Sequence, residues 1–355
     1  MRDVSASNRG PPRAVGWIGL DAPIELIEAA GRRPHRIVVD ARQPSPAAQL
    51  YGEGGGHPWM RAIISRLVQE RSEVERVVLC STPATELWIF NFLLSLERRG
   101  EADGFPPATL LNFSHQGRPS AARLNSRSME GLAQTLGASA AALGDAIAAR
   151  NRVRAALRQI DSQRYGSPTG LSGTDARRLM DPADSLRSEA YLVWAAGQPQ
   201  CPPAAGLPVI YSSPMSPPIA RYAALEALGM RIVGDDTDIG SRAIGPDTAE
   251  QSDGLEALAQ RYAARDPAPA GWPTGARVDY LLGMARSRRA RAVLFDLPAW
   301  EHPAAWDFPA QRQALEGAGI AWVRLPDGVD SDPDCLAQAA HEALRAMIGE
   351  GPSHE

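Results

Sequence analysis

Two stretches of the chain alternate short apolar runs with segments in which apolar residues recur at helical spacing. Short apolar runs separated by helical patterns are typical of strands joined by crossover helices, so each stretch predicts a mainly parallel sheet. In the first stretch the predicted strands are 14–18, 36–39, 75–79 and 109–112. In the second stretch they are 207–211, 230–233, 292–297 and 321–325.

A segment rich in alanine and arginine separates the two stretches, and its apolar residues form a helical stripe that breaks near Gly137. A Pro-rich linker follows at 198–208. We therefore expect an α/β fold with two similar Rossmann/flavodoxin-like parallel-sheet domains and an intervening helical segment. The expected parts are a disordered N-terminal tail (1–13), a first α/β domain (14–127), the helical segment and linker (128–205), and a second α/β domain (206–350).

The composition is that of a soluble globular protein, with 44% hydrophobic and 22% charged residues among 355 positions. The net charge of −4 gives no reason to expect a nucleic-acid partner. No apolar run reaches the length of a membrane-spanning helix, and the polar, Pro-rich N-terminus lacks the apolar core of a secretory signal. We therefore expect a cytoplasmic protein without a membrane partner.

The sequence contains no lysine, so every basic residue other than histidine is arginine. This excludes mechanisms that need a Schiff-base lysine or the lysine of a phosphate-binding loop. The three cysteines are widely separated and form no metal-binding pair. Cys80 follows a predicted strand, so it is either a stray ligand or a buried, inert thiol. We favour the second because free cysteines are among the most buried residues.

The stretch 229–242 follows a predicted helix and carries three aspartates before a Gly-Ser-Arg turn. Asp235, Asp236 and Asp238 come at the carboxyl end of a predicted strand, where ligands usually bind in α/β proteins. Carboxylates this close repel one another, so a cation, Arg242 or water should offset them, and a solvated loop is the alternative. Other strands in this half also end in polar or small residues. The pocket candidates are Cys80, Ser213, Asp235, Asp236, Asp238 and Arg242.

Five motifs occur in order along the chain. The first two are Pro-Ile-Glu-Leu-Ile-Glu-Ala-Ala-Gly at 23–31 and a predicted helix at 143–160 that contains Asn-x-x-Arg-x-x-Leu. The other three are Leu-Ser-Gly at 171–173, the stretch 229–242 with its Asp-Asp and Gly-Ser-Arg sequences, and Asp-Phe-Pro at 307–309. Together they resemble the large subunits of the 2-hydroxyacyl-CoA dehydratase and benzoyl-CoA reductase family. The likeness runs from about residue 16 to the end of the chain.

This resemblance implies two similar α/β domains and pairing with a paralogous subunit. It also implies a [4Fe–4S] cluster bound by cysteines at strand ends, and an ATP-dependent iron–sulfur activator that supplies one electron. The implied reaction is radical chemistry on an acyl-CoA thioester, either dehydration of a 2-hydroxyacyl-CoA or reduction of an aromatic acyl-CoA. Arg242 would then bind a CoA phosphate or carboxylate, or neutralise Asp235 and Asp236, and we favour the second.

The chain departs from the family pattern at every expected cluster ligand. The three ligand cysteines correspond here to His57, Pro83 and Glu301, and the additional cysteine of the acidic stretch corresponds to Asp238. Iron–sulfur clusters are held chiefly by thiolates, and proline cannot ligate a metal. We therefore expect no conventional [4Fe–4S] cluster and no other cofactor on this chain.

The resemblance and the missing cluster ligands together leave three possible functions for the chain. The first, which we favour because the rest of the family framework is kept, is a subunit that has lost its cluster and acts on or binds an acyl-CoA beside a cluster-bearing paralogue. The second is a non-redox acyl-CoA-binding or regulatory protein. The third is a metal-dependent enzyme in which His57, Asp238 and Glu301 bind iron or zinc, with solvated side chains as the alternative. If the fold is kept, the loops that bear these residues and Pro83 should meet in a cleft between the domains.

Overall fold

Each half of the chain forms a sheet of four parallel strands, and both sheets have the same strand order. In the computed structural model the first sheet has the spatial order β2-β1-β3-β4, and the second has β6-β5-β7-β8. All neighbouring strands are parallel. This confirms the predicted pair of α/β parallel-sheet domains. The strands are β1 (Ala14–Ile18), β2 (Arg33–Arg36), β3 (Val74–Cys80), β4 (Ala108–Leu111), β5 (Leu207–Ser212), β6 (Met230–Asp236), β7 (Ala292–Phe295) and β8 (Ala321–Arg324).

The structure describes residues 14–39, 58–71, 73–81, 84–238, 240–250, 253–269, 272–298, 302–326 and 332–348. The predicted tail at 1–13 and the positions His57, Pro83 and Glu301 lie outside them. No helix within these ranges is long and apolar enough to cross a membrane. The helices are α1 (Ile24–Ala29), α2 (Pro58–Gln69), α3 (Ala84–Arg99), α4 (Pro119–Leu136), α5 (Ala140–Ser162), α6 (Gly173–Met180), α7 (Ser188–Ala196), α8 (Ile219–Ala227), α9 (Ser241–Ile244), α10 (Gly254–Ala263), α11 (Thr274–Ser287), α12 (His302–Gly317) and α13 (Pro333–Ile348).

Two helices of the segment between the sheets have local signals at one end. Helix α4 stops at Gly137, which has a left-handed φ of 68° and donates its N–H to carbonyls of the last turn. Helix α6 starts at Ser172, whose hydroxyl accepts a hydrogen bond from the Asp175 N–H. The apolar stripe of α5 packs on α1, where Leu143 and Ile147 share one core cluster with Leu26. Burying each such side chain contributes about 2 kcal/mol.

The core of the first domain also receives side chains from a distant part of the chain. Helix α10 comes after β6, yet Leu258 and Tyr262 belong to the cluster that contains Val15 of β1. The Tyr262 hydroxyl donates to the Glu25 carboxylate at 2.9 Å and lies 3.0 Å from the Ala22 carbonyl. Helix α10 thereby fastens the two halves of the protein together.

Two strands differ from their predicted bounds by three residues, and both differences concern the site. Strand β2 lies at Arg33–Arg36 instead of 36–39. The β-branched run that follows it reads like a strand, but Val38 is 61% exposed and lines a cavity. Strand β6 continues through Asp235 and Asp236, which were expected in the loop. The carboxylates therefore lie on the sheet itself.

Candidate functional site

A cavity with a volume of about 490 Å³ lies between the two sheets. Ile18 and Arg36, at the ends of β1 and β2, form one side of it, and Ser216, in the loop after β5, forms the other. Ligands of α/β proteins usually bind beyond the carboxyl ends of parallel strands, and this cavity lies beyond such ends from both domains. Its volume is within the range of small-molecule sites.

The walls of this interdomain cavity are apolar on two opposite sides. The first domain contributes the run 37–39 after β2, together with Trp59 on α2. The second domain contributes Pro217, Pro218 and Ile219 at the start of α8. Two facing apolar surfaces favour a ligand with an apolar group between them.

Three arginines line the same cavity, and each faces a carboxylate. Arg177 makes a bidentate pair with Asp181, with Nε–Oδ1 at 2.8 Å and Nη2–Oδ2 at 2.9 Å. Arg66 on α2 pairs with Glu70, with Nη2–Oε1 at 2.6 Å. The third is Arg36. Guanidinium groups already held in place are suited to a phosphate or carboxylate, because less side-chain freedom is lost on binding.

Asp238 is the one sequence-predicted pocket candidate that lines this cavity, and it joins the two domains. Its Oδ2 accepts from Arg36 Nη2 at 3.1 Å. Its Oδ1 accepts from the Ser216 N–H at 2.6 Å and from the Ser216 hydroxyl at 2.7 Å. Both carboxylate oxygens are therefore engaged by protein donors. Within the described residues no group of three histidine, cysteine, aspartate or glutamate side chains could hold a metal ion.

The helices that follow the three former ligand positions line two different cavities. Helix α2 begins directly after His57 and contributes Trp59 to the interdomain cavity, and α3 begins directly after Pro83 and contributes Glu86. Helix α12 begins directly after Glu301 and lines a separate cavity of about 10 Å³. The predicted convergence of these loops lies outside the described residues and remains a prediction.

Asp235 is completely buried and belongs to a structural network in the second domain. It lies 3.2 Å from Arg164 Nη1 and accepts from the Ser241 N–H at 2.6 Å. A side chain at Gly240, which has a φ of 57°, would collide with the Asp235 carboxylate. Burial alone would raise the Asp235 pKa, but the charge of Arg164 outweighs it and holds this pKa well below its usual range.

Asp236 is also completely buried and is paired in the same way. Its Oδ2 accepts from Arg277 Nη2 at 2.5 Å and from the Ser212 hydroxyl at 2.9 Å. Ser213, the next pocket candidate, is buried and donates its N–H to the Asp236 carbonyl at 3.0 Å. Ser213 and Arg277 line the 10 Å³ cavity, not the large one. The solvated-loop interpretation is therefore wrong for Asp235 and Asp236.

Arg242 neutralises neither Asp235 nor Asp236, contrary to the expectation we favoured. Its guanidinium lies 4.8 Å from the ring centroid of Trp272, and its Nε donates to the Asp266 carbonyl at 2.8 Å. The nearest ion-pair partner described is Asp21 of the first domain, with Nη2–Oδ1 at 3.7 Å. Burial, with Arg265 close by, lowers the Arg242 pKa to about 10. The sequence could not show which arginine of the fold would reach the aspartates.

Cys80 ends β3 inside the hydrophobic core and is 1% exposed. Burial, and then the negative charge of Asp21, raise the pKa of its thiol far above the usual range. At neutral pH a thiol in this environment stays protonated and is a weak nucleophile. Of the other cysteines, Cys201 is partly buried and Cys335 is exposed.

Sequence reasoning missed most of the side chains that form the interdomain cavity. Arg36 was assigned to the start of a strand, and Arg177 to the body of a helix. Ser216 could have been predicted from the sequence, because the loop that follows β5 carries serines and prolines at a strand end. No local pattern signals Trp59 or Ile219, because each faces the cavity only through the packing of its helix.

Comparison with known proteins gives one family and one relative. The family model "2-hydroxyglutaryl-CoA dehydratase, D-component" matches residues 20–341. The chain is similar to the (R)-phenyllactyl-CoA dehydratase beta subunit of Clostridium sporogenes, with 31% identity over 101 residues. That stretch covers 28% of this chain and 27% of the relative. The family match spans most of the chain and confirms the resemblance drawn from the motifs.

Proposed function

We propose that this chain, which belongs to the 2-hydroxyglutaryl-CoA dehydratase D-component family, is the cluster-free subunit of a 2-hydroxyacyl-CoA dehydratase or benzoyl-CoA reductase-like complex. It binds an acyl-CoA thioester beside a paralogous subunit that carries the [4Fe–4S] cluster. The observation that carries this proposal is the 490 Å³ interdomain cavity, with its apolar walls and its three arginines.

The chemistry of the cavity matches the two parts of an acyl-CoA. The acyl group would lie between Trp59 and Ile219, where burial of apolar surface favours binding by about 25 cal/mol per Å². The phosphates of CoA would bind Arg66, whose side chain is 45% exposed at the cavity, and exchange its Glu70 contact for a phosphate contact. Arg36 and Arg177 are held more firmly by their carboxylates and would orient the thioester end.

The residues present do not fit a [4Fe–4S] cluster. A cluster needs thiolates that reach it, whereas the Cys80 side chain is buried in the hydrophobic core. At the additional cysteine position of the family stands Asp238, and both of its oxygens are engaged by Arg36 and Ser216. Pro83 cannot ligate. We therefore assign no redox step to this chain, and an ATP-dependent iron–sulfur activator would act on the paralogous partner.

We expect the complex in the cytoplasm, because an ATP-driven activator needs the cytoplasmic pool of ATP. Anaerobically purified chain should be colourless and contain far less than one iron atom. About four iron atoms per chain would contradict the cluster-free assignment.

Two other functions remain distinguishable by experiment. A non-redox acyl-CoA-binding or regulatory protein would bind the thioester but would not be needed for turnover by the reconstituted complex. A metal-dependent enzyme would bind zinc or ferrous iron through His57, Asp238 and Glu301. A His57→Ala variant would then lose metal affinity, whereas equal and negligible binding by the variant and wild type excludes this function.

The central test is calorimetric titration of the metal-free chain with CoA and with 2-hydroxyacyl-CoA thioesters that carry aliphatic or aromatic acyl groups. We expect saturable binding of at least one thioester, and weaker binding of CoA alone. Ile219→Trp would fill the space between the apolar walls and abolish this binding. Val193→Trp is the matched control, because Val193 is 76% exposed on α7 and does not line the cavity. Equal affinities of the two variants would refute the site.

A further inference from the structure

A second, much smaller cavity adjoins the interdomain cavity and shares Gly19 and Asp238 with its lining. It lies where helices α5 and α10 meet the end of β1. Its volume of about 20 Å³ accommodates one or two water molecules or one halide ion, and it is too small for a phosphate group. It is therefore separate in size and in lining from the proposed acyl-CoA site.

Four arginines line this small cavity, and all four are more than nine-tenths buried. Arg150 and Arg154 come from α5, and Arg261 and Arg265 come from α10 and the residues after it. Buried arginines are nearly always paired with carboxylates, because an isolated buried charge is very costly. The partners of these four therefore decide whether the cavity carries excess positive charge.

Arg261 has no carboxylate partner among the described residues. Its Nε donates to the Pro246 carbonyl at 3.2 Å, and its Nη2 donates to the Ile244 carbonyl at 3.2 Å. The guanidinium also lies 4.4 Å from the ring centroid of Tyr262. Burial lowers the Arg261 pKa to about 9, as expected for a cation that lacks full compensation.

Two of the four arginines, Arg154 and Arg265, each have a buried N–H donor without a hydrogen-bond partner. Arg154 is ion-paired with Glu25, and Arg265 lies 3.1 Å from Asp21 Oδ1. The Nε groups of both arginines are nevertheless buried, and no hydrogen-bond acceptor reaches them within the described residues. A buried donor without an acceptor destabilises the fold, so a group that accepts its hydrogen bond would be bound favourably there.

The two carboxylates in the lining are already paired with cations other than Arg261. Asp238 pairs with Arg36 at 3.1 Å, and Asp184 lies 3.6 Å from Arg150 Nη2. Burial also raises the Asp184 pKa, which disfavours its charged form. Neither of these carboxylates therefore forms an ion pair with Arg261.

We propose that this cavity binds one halide-sized inorganic anion, chloride under physiological conditions, between α5, α10 and the first sheet. The anion would accept hydrogen bonds from the free donors of Arg154 and Arg265 and offset the charge of Arg261. Since the four arginines join helices that hold the two halves of the protein together, the bound anion would stabilise that arrangement.

The test is thermal unfolding of the full chain in sodium gluconate, chloride or bromide at equal ionic strength. We expect chloride and bromide to raise Tm saturably, and gluconate, which is too large for the cavity, to leave it unchanged. Arg261→Met should weaken halide affinity at least about tenfold, as the loss of a charged partner implies. The control is Arg158→Met on the exposed face of α5, which should respond like wild type.

Three results would overturn the proposal. Equal rises of Tm in all three salts would show general screening, and equal responses of wild type and Arg261→Met would place the effect elsewhere. A halide seen in crystals without a saturable Tm response would be an adventitious ion only. If Arg261→Met does not fold, anomalous diffraction from wild-type crystals in bromide decides: we expect a peak between Arg261 and Arg265, and water at that place refutes the site.

Discussion

The carboxyl edges of the two sheets differ in what fills them. At the first sheet, β1 and β2 end in open space, and the run 37–39 presents apolar side chains to the interdomain cavity. At the second sheet, the strand ends are filled by buried ion pairs: Asp235 lies against Arg164, and Asp236 against Arg277. Acidic residues at a strand end therefore indicate a ligand site only where they face space.

The ion pairs of the second sheet stabilise the fold at the expense of a binding surface. Asp296, at the end of β7, is buried and hydrogen-bonds to Tyr211 and Arg221. A buried carboxylate of this kind is held by its partner and is not available to a ligand. Because removal of one partner leaves the other charge buried and unpaired, these pairs are sensitive to mutation.

The largest effect that this comparison predicts is on stability. Asp235→Asn leaves Arg164 without its full counter-charge, so the free energy of unfolding should fall by about 3–5 kcal/mol. Asp238→Asn, at the edge of the interdomain cavity, should cost about 1 kcal/mol, because Asp238 is partly exposed and solvent can replace it. Urea unfolding followed by circular dichroism measures both. Similar losses of unfolding free energy in the two variants would contradict the proposed difference between the carboxyl edges of the two sheets.

The second prediction concerns how stability depends on pH through Glu25, a buried carboxylate of the first domain. Burial raises the Glu25 pKa, but Arg154, with Arg261 and Arg150, outweighs burial and lowers it from 4.5 to about 2. The resulting stabilisation, about 3 kcal/mol, is fully present above pH 4.5 and is lost as the pH falls towards 2. Thermal unfolding across this range should show a steeper loss for wild type than for Glu25→Gln. Parallel curves would contradict it.

The third prediction concerns acyl-CoA affinity, for which the expected effect is smaller. Trp59→Ala removes one apolar wall of the interdomain cavity and should weaken acyl-CoA binding about tenfold. Trp306→Ala is the matched control, because Trp306 is 78% exposed and lies outside the cavity lining. Calorimetric titration measures both affinities. A loss of the same size in the control would show that the effect is not local.

The smallest expected effect is on thiol chemistry. A thiol reagent at neutral pH should modify the exposed Cys335 quickly and Cys201 more slowly, and it should not modify Cys80 until the protein unfolds. Mass spectrometry of peptides after timed labelling measures the three rates. Rapid modification of Cys80 in the folded chain would show that the end of β3 opens.

The alternation of strands and helices was sufficient to predict the fold, because a parallel sheet needs a crossover helix after each strand. The break predicted near Gly137 also marked a helix end, since a glycine there acts through local backbone geometry. The site was harder to predict. Asp238 was found because it follows a strand, whereas Arg36 was missed because it was assigned to the start of a strand at 36–39.

The partners of the acidic stretch could not be predicted for a related reason. Arg164 and Arg242 have the same chemistry, and only tertiary packing decides that Arg164 reaches Asp235 while Arg242 stacks on Trp272. Proximity in sequence favoured Arg242 and was misleading. Local signals specify secondary structure, but ion pairs between distant segments follow from how the helices pack.

Hydrogen–deuterium exchange with and without a saturating acyl-CoA tests the contrast between the two edges most directly, because it reports every backbone segment at once. We predict that the thioester slows exchange at 37–39, at the start of α2 and at 216–219. Strand β6, whose ion pairs are complete without ligand, should exchange at the same rate in both states. Slower exchange confined to β6 and α9, with none at 37–39 or 216–219, would contradict the assignment of the acyl-CoA site.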